Sequence, residues 1–258
     1  MQESGNNLHT NQHSLSIRTK PDGFSFCFST ARGYILKELK MPTPFEFPER
    51  FEDYVQSRGW ADRDNLEVTI IDFSDHFMLL PEKVSDEEHI KAFFNFQFQH
   101  DEASQIFTVP LCDEKQLFCW ELPSSRDETF EKLFPQLTIL SSSYLLANWT
   151  IRQANYKRKP VMVAHLYGKS MHVFAADPQK LLFANTFTVK DHQEIPYFIL
   201  RILDQLSFDP LFIHCIFCSE SASENEITDL FRPYIKNFKM ATFSHQTDEP
   251  LLIIEKNN

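Results

Sequence analysis

The sequence Val161-Met-Val-Ala-His-Leu-Tyr-Gly168 begins the stretch that decides the fold. A short turn leads from it to Met171-His-Val-Phe-Ala-Ala176, and Leu181-Leu-Phe-Ala-Asn-Thr-Phe-Thr-Val189 follows. Each run is short, rich in β-branched or aromatic residues, and bounded by Gly, Pro, Asp or Lys, which is typical of a β-strand. The sequence therefore predicts three consecutive antiparallel strands joined by tight turns.

The hydrophobic period changes after these strands. Apolar residues within Ile195–Leu206 recur at helical spacing, and Pro196 suits the first position of a helix. A buried strand is then predicted over Leu211–Cys218, a second helix over Ile227–Tyr234 and a last strand over Leu251–Glu255. This order, β-β-β-α-β-α-β, is that of a ribonuclease-H-like sheet.

The first half of the chain repeats this pattern without repeating its sequence. Pro21-Asp22-Gly23 is a strong turn signal between two predicted strands, and it corresponds to the turn at Gly168 in the second half. The predicted strand that begins at Leu66 precedes the one that begins at Leu211 by the same number of residues as Gly23 precedes Gly168. Two such halves are the plan of the actin-like ATPases. We therefore predict an α/β fold with two ribonuclease-H-like halves around a central crevice.

This plan divides the chain into four parts. Residues 1–13 are polar and are predicted to be a disordered tail. The first half is predicted over residues 14–140 and the second over residues 161–258, and residues 141–160 form a linking helix and connector. Within the first half, Ser85-x-x-Glu88 is a capping box that predicts a helix whose buried face carries four apolar residues, Ile90, Phe93, Phe94 and Phe98.

Charge and cysteine content limit the classes of function. The net charge is −11, which argues against a nucleic-acid partner because neutralising phosphates requires clustered Lys and Arg. Five cysteines scattered through strand-like runs fit a reducing compartment. The N-terminus has no apolar signal segment, and no run approaches the length of a transmembrane span. These features predict a cytoplasmic protein.

Several segments resemble one uncharacterised bacterial family. They are Ser14-Leu-Ser-Ile, Pro21-Asp-Gly-Phe-Ser-Phe, Leu181-Leu-Phe-Ala-Asn-Thr-Phe, and Tyr197-Phe-Ile-Leu with Leu203-Asp-Gln-Leu-Ser-Phe-Asp-Pro. The family is described as a domain of unknown function with an actin-like ATPase fold, and it is found mainly in Bacteroides-type bacteria. The architecture is also similar, more distantly, to cytoplasmic actin-like proteins of type IV pilus and type II secretion assembly. The resemblance implies the fold and implies no particular activity.

An active member of the actin-like superfamily would cradle phosphates in the first hairpin turn of each half, with an Asp that holds Mg²⁺. Here the turns offer six candidate residues, and the Asp-x-Gly-Thr order is absent from the first turn. The second turn has no carboxylate for the metal, and the chain has only five glycines. If Mg-ATP binds, it would contact these candidates: Lys20, Asp22, Gly23, Gly168, Lys169 and Ser170.

Three other motifs have simpler explanations. Gly168-Lys169-Ser170 looks like the end of a Walker A loop, but Val163 stands where that motif requires a glycine. Cys215 and Cys218 are three residues apart in a strand and should face opposite sides, so they fit core residues better than a zinc site. The first strand of the second half lacks the carboxylates of a two-metal nuclease.

The sequence therefore favours a non-catalytic scaffold or adaptor with degenerate phosphate loops, which would bind an unidentified protein partner and use no cofactor. The alternative is a nucleotide-binding switch, ATPase or phosphotransferase of the actin-like superfamily that binds Mg-ATP. A homodimer is compatible with either hypothesis. The contents of the crevice discriminate the two, because a side chain such as Tyr167 could fill the space that phosphates would need.

Overall fold

A computed structural model describes residues 13–30, 33–40, 47–63, 66–84, 86–98, 104–219, 224–246 and 249–255. The predicted tail lies outside these residues except for His13, which begins the first strand. Within the described part of the chain, no helix is both long and apolar enough to cross a bilayer.

The first half is built on a five-stranded sheet with the order β3-β2-β1-β4-β8. Strands β1, β2 and β3 are antiparallel, whereas β4 runs parallel to both β1 and β8. The elements of this half are β1 (His13–Lys20), β2 (Gly23–Thr30), β3 (Gly33–Lys40), α1 (Phe47–Ser57), β4 (Leu66–Asp72), α3 (Ser124–Leu133) and β8 (Leu137–Ser141).

The second half repeats this topology in a sheet with the order β11-β10-β9-β12-β13-β14. Its first three strands are antiparallel, and β12 runs parallel to β9 and β13. The elements are β9 (Val161–Tyr167), β10 (Ser170–Ala176), β11 (Leu181–Thr188), α5 (Ile195–Gln205), β12 (His214–Ser219), α6 (Glu224–Phe231), β13 (Asn237–Gln246) and β14 (Glu249–Glu255).

A three-stranded insertion separates β4 from α3. It consists of β5 (Phe77–Pro81), α2 (Glu87–Gln97), β6 (Gln105–Pro110) and β7 (Gln116–Leu122), and its strand order is β5-β7-β6. Helix α2 packs on one face of this small sheet through Ile90 and Phe94. The other face contributes Phe77, Phe118 and Trp120 to an apolar cluster of the second half.

Helix α4 (Ser142–Lys157) joins the two halves and contacts β8, β9, β10 and β11. Ser141 is its N-cap, and the Ser141 side chain accepts hydrogen bonds from the backbone N–H groups of Ser143 and Tyr144. The second sheet is buried on both faces. One face packs against α4 and the insertion, and the other face packs against α5 and α6. Helix α4 therefore shares this face of the second sheet with the insertion.

Three predictions about the second half need correction. The strand predicted from Leu211 begins at His214, because the Asp209 side chain accepts a hydrogen bond from the Leu211 backbone N–H at 2.8 Å and holds a turn. The last strand of the ribonuclease-H-like order is β13, which alternates polar and apolar residues and was missed. The predicted strand Leu251–Glu255 lies in β14, which adds to the edge of the sheet as an antiparallel hairpin.

Three features of the first half also differ from the prediction. Strand β8 was missed, although it pairs in parallel with β4 and is the fifth strand of the first sheet. The N-cap of α2 is Asp86, whose side chain accepts a hydrogen bond from the His89 backbone N–H, and Ser85 lies outside the described residues. Phe93 was predicted to lie on the buried face of α2, but it is 48% exposed. The buried residues of this helix are Ile90 and Phe94.

Candidate functional site between the two hairpin turns

The first hairpin turns of the two halves meet across the crevice. The β1–β2 turn places Asp22 at its tip, and the β9–β10 turn follows Tyr167 at the end of β9. The Tyr167 hydroxyl donates a hydrogen bond to the Asp22 carboxylate. The turn at Gly168 requires glycine because its φ is +58°, and the surrounding space is open. The two turns are thus in direct contact through their own side chains.

This site lies at the carboxyl ends of β1, β4 and β9, which is where α/β sheets usually bind ligands. Phe73, the first residue after β4, is 7% exposed and lies against the second half. Its ring stacks on His172 with centroids 4.7 Å apart and lies 5.7 Å from the ring of Tyr167. His165 is buried beside them, 6.4 Å from the Phe73 ring. Aromatic rings therefore occupy the region between the halves.

A second set of contacts joins the halves at Asp75, in the loop between β4 and β5. His172 Nε2 lies 2.7 Å from Asp75 Oδ1, and the Ser170 hydroxyl donates a hydrogen bond to the same oxygen. The Thr186 hydroxyl donates to the backbone carbonyl of Asp75 at 3.1 Å. Three residues of the second half thus hold one residue of the first half.

The ionisation of Asp75 depends on these contacts. Partial burial alone would raise the pKa of Asp75, but the hydrogen bonds from His172 and Ser170 and the charges of His172 and His76 outweigh it. The pKa of Asp75 therefore lies below its ordinary value of 3.8. An ionised carboxylate at this position stabilises the contact between the halves.

We expect Asp75→Asn to lower the free energy of unfolding at pH 7 by about 1 kcal/mol, a small value because Asp75 is half-exposed. Since the folded pKa is below 3.8, the stabilisation is present above that value and is lost as the pH falls through the folded pKa. Urea titrations between pH 3 and pH 7 should therefore show a shallower acid-side decline for Asp75→Asn. A decline as steep as in the original chain would contradict this prediction, and Asp53→Asn, exposed on α1, is the control.

His172 also contacts Ser143, so an Asp–His–Ser chain crosses the site. His172 Nδ1 lies 2.9 Å from the Ser143 hydroxyl oxygen. These are the residue types of a hydrolase triad. However, Ser143 and His172 are both 0% exposed, and Ser143 lies in the first turn of α4. A nucleophile must be reached by its substrate, so this chain of contacts positions α4 and β10 and does not form a hydrolytic site.

The residue that precedes Phe73, Asp72, carries a buried carboxylate. Asp72 is 0% exposed, and its Oδ1 accepts hydrogen bonds from the Thr19 hydroxyl and from Arg126 Nη1, each at 2.8 Å. Burial raises the pKa of Asp72, although Arg126 and Thr19 act in the opposite direction. The carboxylate thus ties the ends of β1 and β4 to the start of α3. Among the described residues, no group of three or more His, Cys, Asp or Glu side chains could hold a metal ion.

The six candidate residues predicted from the sequence lie in or beside the two turns. Asp22 contacts Tyr167, and Ser170 contacts Asp75. Lys20 is half-buried at the end of β1, where it pairs with Gly23 in the hairpin register. Gly168 and Lys169 are exposed, and the backbone carbonyl of Lys169 accepts a hydrogen bond from Val189.

Sequence reasoning missed the residues that connect the halves, which are Phe73, Asp75, Ser143, His172 and Thr186. One signal was available, because His172 is a polar residue inside an otherwise apolar strand. The expectation that Cys215 and Cys218 face opposite sides is confirmed. Cys215 belongs to the cluster of α5 and α6, and Cys218 belongs to the cluster of α4.

Solved structures of the same fold agree with this architecture. A Bacteroides thetaiotaomicron protein, described as having an actin-like ATPase fold and unknown function, matches with a TM-score of 0.79 at 17% identity, covering 92% of this chain and 94% of that one. The PilM-PilN type IV pilus biogenesis complex contains a chain that matches with a TM-score of 0.56 at 10% identity, with 87% of each chain covered. These similarities establish the actin-like fold.

A comparison with protein families identifies the family to which this sequence belongs. No curated protein sequence matches the chain. The family model for proteins of unknown function designated DUF3822 matches residues 2–238, which is most of the chain. This match shows that the chain belongs to the DUF3822 family of proteins of unknown function.

Proposed function

We propose that this protein is a non-catalytic scaffold or adaptor that uses the actin-like fold without nucleotide turnover. The observation that carries the proposal is the direct contact between the two hairpin turns, in which the Tyr167 hydroxyl donates a hydrogen bond to the Asp22 carboxylate. This hydrogen bond uses one oxygen of the Asp22 carboxylate, so it would compete with a Mg²⁺ ion for that oxygen. The stack of Phe73 on His172 fills the space beside this contact.

A second argument concerns the partner. The similar PilM chain occurs in a complex with PilN, so a chain of this fold can assemble with another protein. By analogy we propose an unidentified protein partner for the present chain. We further propose that residues 14–140 and 161–258 act as two halves joined by residues 141–160. All five cysteines are free thiols, which supports a place in the reducing cytoplasm.

The decisive experiment is a titration of the purified chain with Mg-ATP and Mg-ADP, followed by thermal shift and calorimetry. A ligand at about a hundred times its Kd stabilises a folded protein by ~2.7 kcal/mol, which is several degrees in the melting temperature. We expect no shift at millimolar nucleotide, because the turns are occupied by Tyr167 and Asp22. An actin-like ATPase measured in parallel provides the positive control.

The opposite result has a clear meaning. A shift that disappears in Asp22→Ala and Lys169→Ala would contradict the scaffold proposal and support the Mg-ATP alternative. The variant Tyr167→Phe tests the contact itself, because it removes the hydroxyl that donates to Asp22 and keeps the ring beside Phe73. If only Tyr167→Phe binds nucleotide, the hydroxyl is what closes the turns in the original chain.

A further inference from the structure

Two exposed apolar surfaces of opposite charge lie on different sides of this molecule. Among the described residues, seven large apolar side chains are exposed, and five of them fall on these two surfaces. We call the first the basic edge, which consists of Arg158, Lys159, Leu211, Phe212, Tyr234 and Lys236. We call the second the acidic helix face, which consists of Glu88, Phe93 and Phe96 on α2.

The basic edge is a single surface built from three loops. The His214 backbone N–H donates to the Pro160 carbonyl at 3.1 Å, and the Lys236 N–H donates to the Pro210 carbonyl at 3.3 Å. The Asn237 side-chain amide donates to the Leu211 carbonyl at 3.1 Å. These bonds hold the loops before β9, β12 and β13 side by side at one end of the second sheet.

The chemistry of the basic edge is unusual for so acidic a chain. Leu211 is 65% exposed and Phe212 is 58% exposed. Within the described part of the chain, Arg158, Lys159 and Lys236 have no ion pair with another side chain. The carboxylate of this turn belongs to Asp209, and it accepts a backbone hydrogen bond. The edge therefore presents apolar area together with uncompensated positive charge.

The acidic helix face has the complementary composition. Phe96 is 92% exposed and Phe93 is 48% exposed, and they are three residues apart on α2, so they lie on one side of the helix. Glu88 is exposed in the first turn of the same helix, eight residues before Phe96, and has no ion pair within the described residues. Three acidic residues begin this segment, Asp86, Glu87 and Glu88, against one cation on the helix, Lys91.

The two surfaces cannot meet within one chain. Helix α2 packs on the outer face of the insertion, whose inner face covers α4 and the second sheet. The basic edge lies in the loops that follow α4, α5 and α6, and its apolar residues are in the loops that follow α5 and α6, which pack on the far face of that sheet. The small sheet and the second sheet thus stand between α2 and these apolar residues. A second copy of the chain can bring them together.

We propose that this protein associates head to tail, with the basic edge of one copy against the acidic helix face of the next. The contact joins different surfaces of the two copies, so it leaves one free surface at each end and allows short open chains. Apolar residues at the centre and opposite charges around them are the usual composition of such a contact. The proposal concerns surfaces away from the crevice and holds whether or not nucleotide binds.

The test is sedimentation velocity of the full chain over roughly 1 to 300 µM, a range that covers weak contacts. We expect the sedimentation coefficient to rise with concentration and to fall with added salt. Lys236→Glu and Glu88→Lys should each weaken association about tenfold or more, because each places like charges opposite one another. An equimolar mixture of the two variants should regain association, since Glu88 of one then meets Lys236 of the other.

The controls separate this contact from general surface effects. Tyr197 is 64% exposed and lies outside both surfaces, so Tyr197→Ser should associate as the original chain does, whereas Phe96→Ser should not.

A chain that stays monomeric throughout the range would overturn the proposal. So would association that neither charge reversal changes. Binding of the monomeric chain to phosphatidylserine vesicles through Lys236 would instead identify the basic edge as a membrane contact and would also overturn it. The nucleotide titration is read separately, so either proposal can fail alone.

Discussion

Phe73→Ala should lower the free energy of unfolding by about 3 kcal/mol. Phe73 is 7% exposed, and its ring contacts His172 and Tyr167 of the second half. Alanine removes these contacts and leaves a cavity between two rigid sheets that cannot easily collapse. Urea unfolding followed by fluorescence and circular dichroism gives the change in free energy. The effect is expected to be among the largest for a single residue at the contact between the halves.

The same variant should also loosen the contact between the halves. Hydrogen exchange should increase in β9 and β10, which carry Tyr167 and His172, and it should change little in α5 on the far face of the sheet. Phe73→Leu is the matched control, and we expect it to lose about 1 kcal/mol because it keeps most of the apolar volume. If Phe73→Ala and Phe73→Leu were equally stable, the ring would not be what fills the crevice.

Arg126→Ala is expected to cost about 3 kcal/mol of unfolding free energy at pH 7. The variant leaves Asp72 fully buried without the cation whose Nη1 lies 2.8 Å from its Oδ1. An uncompensated buried charge is much less stable than a paired one. Equilibrium unfolding in urea measures the loss, and the pH dependence identifies its cause, because the cost should shrink as Asp72 becomes protonated in acid.

A double-mutant cycle shows whether the pair itself is responsible. Asp72→Asn removes the charge and keeps the shape, so Arg126→Ala on the Asp72→Asn background should cost well below 3 kcal/mol. Equal costs on both backgrounds would mean that Arg126 stabilises the chain through its packing or through its contact with the Phe73 carbonyl.

The fold could be predicted from sequence wherever the hydrophobic period was clear. The three antiparallel strands from Val161 to Thr188 and helix α5 have strong patterns, and the structure confirms them. Strands β8 and β13 were missed because both are partly polar, and because their burial depends on pairing with strands distant in sequence. Pairing in a parallel sheet leaves little local signal in the strand itself.

The candidate site was less predictable than the fold. The turns at Gly23 and Gly168 could be located from their residue types, since turn chemistry is local. The contact partners of Asp75 could not be located, because Ser170, His172 and Thr186 reach it only after both halves and the insertion have folded. The site is a product of tertiary structure, and a single sequence gives no measure of which distant side chains converge.

The insertion affects how this chain can be divided. It branches from the first half, yet Phe77 stacks on Phe174 of the second half with ring centroids 5.6 Å apart. Phe118 and Trp120 cover the same apolar cluster. A fragment that starts at Val161 would expose this surface to water and should aggregate when expressed alone. A soluble fragment of the second half would have to carry both α4 and residues 77–122 with it, so the unit that folds independently is not contiguous in the sequence.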